Sequence, residues 1–103
     1  MFQMGQRPML NIRRLVIDVD KALKTPTLIE IATAIQSCQG VQSSNITVTE
    51  VDQETIGTNI TVEGEALDYD EIVRAIEHSG AVVHSLDQVV SGNKILEYVP
   101  RAR

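Results

Sequence analysis

The chain has 103 residues, a hydrophobic share of 43%, a charged share of 22% and a formal net charge of −5. That is the length of one domain with a core of its own, and the composition excludes a disordered chain, a coiled coil and a membrane-spanning helix, because apolar runs are only a few residues long. The acidic balance argues against a nucleic-acid partner, and a lone Cys38 excludes a disulfide framework or a CxxC metal or redox motif.

Residues 1–10, MFQMGQRPML, are polar and carry Gly and Pro. They lack the apolar stretch and small-residue cleavage site of a secretory signal and are expected to form a loose arm. From Ile12 to Asp20, Leu15, Ile17 and Val19 alternate with Arg14, Val16, Asp18 and Asp20. The spacing predicts a strand with one apolar and one mixed face. Lys21–Lys24 reads as a connector, and Thr25-Pro26 as the N-cap and first residue of a helix. Leu28, Ile31, Ala32 and Ile35 form its amphipathic stripe, and Gly40 ends it.

Residues 45–52 alternate again and are β-branched. A polar turn, Asp52–Thr55, leads to a return strand over 58–63, with Ile46 and Val48 facing Ile60 and Val62. Asp68 with Glu71 three residues on is a capping-box spacing, and Leu67 and Ile72 can form a hydrophobic staple. Ile72, Val73 and Ile76 predict the buried stripe of a second helix, which Gly80 ends. Residues 81–86 predict a fourth strand. The tail from Gly92 carries Ile95, Leu96, Tyr98 and Val99 before a basic end.

The order β-α-β-β-α-β predicts an α+β, ferredoxin-like domain over 11–91, with a four-stranded antiparallel sheet and two helices on one face. The tail, 92–103, has no place in that sheet and is expected to add as a strand at a subunit contact.

Several activities known on such a scaffold lack their residues here. A soft-metal chaperone needs thiolates after the first strand, an RNA-recognition module needs aromatic rings on the central strands, and a phosphate-binding enzyme needs arginine or glycine in the first loop. Asp20-Lys-Ala-Leu-Lys24 offers none of these, and the aromatics are Phe2, Tyr69 and Tyr98. No phosphate-binding glycine motif or nucleophilic triad is present, so the expectation is a protein that is not an enzyme. Cys38 reads as a small buried hydrophobe, and His78 as a cation at a helix end. His84 faces either the core or the open side of the sheet, and an enzymatic reading would require it to meet Asp18 in a pocket.

Charge is distributed unevenly. From Asn45 to Glu77 nine acids stand against one base, Arg74, so this stretch carries −8 and the remainder +3. Such asymmetry calls for a cation or a basic partner surface. Carboxylates are hard ligands suited to calcium or magnesium. Asp18 and Asp20 end the first strand. Glu63 ends the third, read as running parallel beside it, so these three are expected to gather at one end of the sheet, with Asp52 and Glu54 at the other. Glu65 and Asp68 complete the candidate ligand set. Helix N-terminal preference alone also accounts for Asp68, Asp70 and Glu71.

The segments Arg13–Asp20, Val41–Asp52, Glu63–Ile72 and Gly80–Gly92 resemble the family known as domain of unknown function 211. The resemblance implies a ferredoxin-like fold, a cytoplasmic protein and closed multi-subunit assemblies, with calcium associated with assembly. The expected function is therefore a self-assembling homo-oligomer, ring or filament, in which calcium or another divalent cation neutralises carboxylates between subunits. Neither nucleic acid nor membrane is an expected partner. The alternative is a small-ligand-sensing regulatory domain, its pocket lying between subunits at the loop after the first strand and the start of the second helix.

Overall fold

The computed structural model describes residues 10–101. The arm expected over 1–10 lies outside them except for Leu10, as do the last two residues of the tail. The elements are β1 (Ile12–Ala22), α1 (Leu28–Gln36), β2 (Val41–Val51), β3 (Thr55–Gly64), α2 (Tyr69–His78) and β4 (Val82–Ser91). The strand order is β2-β3-β1-β4 with every neighbouring pair antiparallel. This is the ferredoxin-like α+β fold.

Alternation in β1 builds the core. Leu15, Ile17 and Val19 are fully buried, and they meet Ile60 and Val62 of β3, Ile31 and Ile35 of α1, and Ile72 and Ile76 of α2. Ile17 stands directly opposite Ile60, and Leu15 opposite Val62. The face holding these residues is covered by the helices. The other face carries Arg14, Val16, Asp18 and Asp20, which are half-buried, and has no helical layer.

Strands of 10 or 11 residues extend about 35 Å, whereas helices of 9 and 10 residues are only about 15 Å long. The helices therefore cover part of the sheet, and the β2–β3 hairpin projects past them. In β2 only Val41 and Ile46 are even half-buried.

Two local expectations change. Helix α1 starts two residues later than Thr25-Pro26 suggests. Its N-cap is Thr27, whose Oγ1 accepts from Glu30 N at 3.1 Å while Thr27 N donates to Glu30 Oε1 at 2.8 Å. This reciprocal pair satisfies two otherwise unpaired donors, and Thr25-Pro26, a cis peptide, belongs to the preceding loop. The connector expected from Lys21 is still strand: Lys21 is 5% exposed on the helix side, and its Nζ donates to the carbonyls of Ala22 at 2.7 Å and Leu23 at 3.3 Å. Residues 92–101 carry no strand within the single chain, whereas the added strand is expected at a contact between chains.

At α2 the expected cap holds: Asp68 is the N-cap and its carboxylate accepts from Glu71 N at 3.2 Å. Leu67 and Ile72 are both buried, as a staple requires. Glu71 Oε2 turns instead to Gln39 N, 3.4 Å away in the turn after α1, which links the two helices at this end.

Candidate functional site: the helix-free sheet face and the tail

On the open face, β1 is flanked by β3 and β4, and Arg14 lies opposite Glu63 on one side and Val90 on the other. Its guanidinium gathers three partners. Nε donates to Glu63 Oε2 at 2.7 Å. Nη1 and Nη2 donate to Glu97 Oε1 and Oε2 at 2.9 and 3.0 Å, and Nη1 also approaches Gln88 Oε1 at 3.5 Å. The forked contact to Glu97 matches the planar geometry of guanidinium and carboxylate. It holds the arginine above its ordinary pKa, chiefly through the hydrogen bonds to Glu97 and then to Glu63, and it pulls the Glu97 carboxyl below its ordinary value.

The same contact fixes the tail against the sheet. Asn93 O accepts from Arg13 Nη1 at 3.2 Å, and the backbone at Gly92 bonds with Asn11. Val90 is 7% exposed yet lies outside the main core cluster, because the returning tail covers it. A cleft lined by Asp87, Gln88, Val89, Val90, Leu96 and Tyr98 runs beneath the tail. Although anchored, the tail leaves Leu96, Tyr98 and Val99 at 73, 76 and 74% exposure.

The candidate carboxylates do not gather as expected. The chain runs up β1, crosses through α1 to enter β2 parallel to β1, and then reverses through the hairpin, so β3 is antiparallel to β1. Asp18 therefore lies opposite Asn59 and Asp20 opposite Gly57, while Glu63 lies at the far end of the sheet, paired with Arg14. Glu65 is 3.7 Å from Arg13, and Asp68 caps α2. Among the described residues, no three His, Cys, Asp or Glu side chains come together as a metal-binding group. Asp52 and Glu54 are also corrected. The hairpin tip adjoins the end of β1, with Thr55 opposite Ala22, so these acids lie at the same end as Asp20. One cleft there is lined by Asp20, Lys21, Glu54 and Gly80 among others.

Asp18 and Asp20 make no ion pair among the described residues. Asp20 borders the one bare spot on this part of the face: a methyl group placed on Gly57 would stand 3.6 Å from both Asp20 Oδ1 and Thr49 Oγ1, and 3.5 Å from the Cβ of Glu50.

His84 is exposed and falls in a bulge. Val83 pairs with Val19 and Ser85 with Asp18, so His84 is the extra residue between them, and no hydrogen bond joins it to Asp18. The pocket of the sensing alternative would need the loop after β1 and the start of α2. In one chain these lie at opposite ends of β1, because Leu67 N donates to the carbonyl of Ile12. Cys38 is buried, and its thiol is raised above the ordinary value by burial first and by the nearby Glu71 and Asp68 next, with Arg74 opposing. Among the described residues no helix is long and apolar enough to cross a membrane.

Sequence reasoning missed Arg14. Its partners stand 49, 74 and 83 residues away, so no local pattern marks it. The only hint was a base on the mixed face of a central strand otherwise carrying acids.

Comparison with known proteins agrees with the earlier resemblance. An uncharacterized protein of Methanocaldococcus jannaschii, MJ0319, is 43% identical over 91 residues, covering 88% of this chain and 93% of the relative. Residues 13–103, which include both Arg14 and the whole tail, match the model of a family described as uncharacterized ArCR, and the chain belongs to that family, DUF211.

Proposed function

We propose that this protein works by self-association, as the building block of a homo-oligomeric ring or filament and not as a catalyst. The observation that carries this reading is the tail, which is anchored yet exposed. Bidentate ion pairing to Arg14 orders an extended segment, while Leu96, Tyr98 and Val99 remain open to water. Holding apolar side chains in water in a fixed arrangement gives a single chain nothing; a neighbouring copy would bury them, and its binding would lose less conformational entropy because the segment is already ordered. Two long edge strands, β2 and β4, add unpaired backbone donors and acceptors on either side.

The uneven charge gives cations a part in the same assembly. Asp18 and Asp20 form no ion pair among the described residues, so bringing copies together would concentrate negative charge. Calcium or another divalent ion, held between carboxylates of adjacent subunits, would offset it. Light scattering of the full chain, once with calcium and once with a chelator, tests both halves. The expected mass is a multiple of 11.3 kDa, larger or more heat-stable with calcium. A mass of 11.3 kDa in both conditions removes the reading, and a multimer indifferent to calcium removes the cation.

A further inference from the structure

We propose that the tail of one copy seats on the β2–β3 hairpin of the next, apolar residues against Val48 and Val51 and the basic end against Asp52 and Glu54 at the hairpin tip; this rests on the self-association reading and names its contact. The hairpin surface arises from a bulge. β2 and β3 pair Val48 with Thr58, and the register then shifts so that Glu50 meets Gly57 and Val51 meets Ile56. Thr58 is buried on the helix side, and Ile56 lies opposite Lys21, which is buried on that side too. Simple alternation would put Val51 on the open face with the threonines. The extra residue turns it to the helix side, where the short helices do not reach and where it is 69% exposed. Val48 and Leu23 are also exposed at this end.

The tail complements this patch in polarity and charge. It presents Leu96, Tyr98 and Val99, followed by Arg101 and, in sequence, Arg103. The hairpin presents two valines on the helix side and, at its tip, Asp52 and Glu54, which are exposed and form no ion pair among the described residues; Glu50, opposite Gly57, faces the open side.

The apolar residues of a tail cannot reach the valines of their own hairpin. Glu97 is held at Arg14, opposite Glu63, whereas Val51 lies opposite Ile56, seven residues or about 23 Å further along β3. Tyr98 and Val99 follow Glu97 by one and two residues, about 7 Å at full extension. The tail also lies on the open face and the valines on the helix side. The contact must therefore be made between copies. It joins two different surfaces, so it is head-to-tail, and it closes into a ring or continues as a filament according to the rotation between subunits.

Two charge-reversed chains test this. One carries Asp52→Lys and Glu54→Lys, and the other carries Arg101→Glu and Arg103→Glu. Each alone is expected to associate at least about tenfold more weakly than the wild type, while an equimolar mixture recovers the large species by alternating subunits. Failure of the mixture to recover, or wild-type mass for either chain alone, overturns the contact while leaving self-association standing. A monomeric wild type overturns both. Should the double lysine chain not fold, Val51→Ser provides the readout at a solvent-exposed position: weaker association upholds the contact, and unchanged association overturns it.

Discussion

Arg14 and Glu97 are 83 residues apart in sequence and meet through two parallel hydrogen bonds of 2.9 and 3.0 Å. One partner lies in the central strand of the sheet and the other in a segment with no secondary structure. The pair contributes little to the core, which is complete without it. Its effect is to convert a loose end into a positioned one.

Glu97→Gln removes the charge and one half of the fork. The expected result is a tail cleaved faster by trypsin at Lys94 and Arg101, with the thermal midpoint of the domain nearly unchanged, because the tail packs outside the core cluster. An equal loss of midpoint and tail protection would mean that the tail is part of the folding unit.

The same pair sets a pH dependence. The Glu97 carboxyl is lowered by Arg14, so tail docking is favoured above the ordinary glutamate value of 4.5 and is lost as pH falls through the lower, folded-state value. Tail protection followed by hydrogen exchange or limited proteolysis is therefore expected to be flat through neutral pH and to fall only below 4.5. Loss of docking between pH 6 and 8 would point to a different group.

Cys38 is expected to be slow toward iodoacetamide at neutral pH, since burial and neighbouring acids keep its thiol protonated and covered. Unfolding in denaturant should release a normal rate. Fast labelling of the native protein would contradict the described packing of α1 against α2.

Thr27→Ala is expected to destabilise by about 1 kcal/mol, a drop of roughly 4–8 °C in midpoint for a domain of this size, whereas Thr25→Ala should change far less. The contrast follows from the reciprocal bonds between Thr27 and Glu30.

These positions also mark how far the sequence could be read. Period-two alternation in Leu15, Ile17 and Val19 and the Asp68–Glu71 cap are local signals, and both elements formed as expected. At α1 the sequence points to Thr25-Pro26 as the start, whereas the cap formed is Thr27 with Glu30 three residues on. That cap satisfies two backbone donors at once, which Thr25 does not. The direction of β3 relative to β1 is a property of chain path. Misreading it placed Glu63 beside Asp18 and Asp20, when it pairs with Arg14. The bulge that turns Val51 over has no signature in an alternating run, and the Arg14–Glu97 contact is wholly non-local.

Gly64→Ala probes the closest backbone approach in the sheet. A Cβ there would collide with the carbonyl of Gly40, whose own φ is +85° and which accepts from Glu65 N at 3.0 Å. Because the obstacle is backbone, the neighbour cannot yield by rotating a side chain. Destabilisation of at least about 2 kcal/mol is expected in denaturant unfolding, and wild-type stability would contradict the pairing of β2 with β3 at that end.

Sedimentation velocity of the full chain beside one ending at Asn93 bears most directly on self-association through the tail. The full chain should sediment as a multimer and the shortened chain as an 11-kDa-class particle that retains its β-sheet circular dichroism. Identical sedimentation of the two, whether both single or both assembled, would contradict the role assigned to residues 94–103.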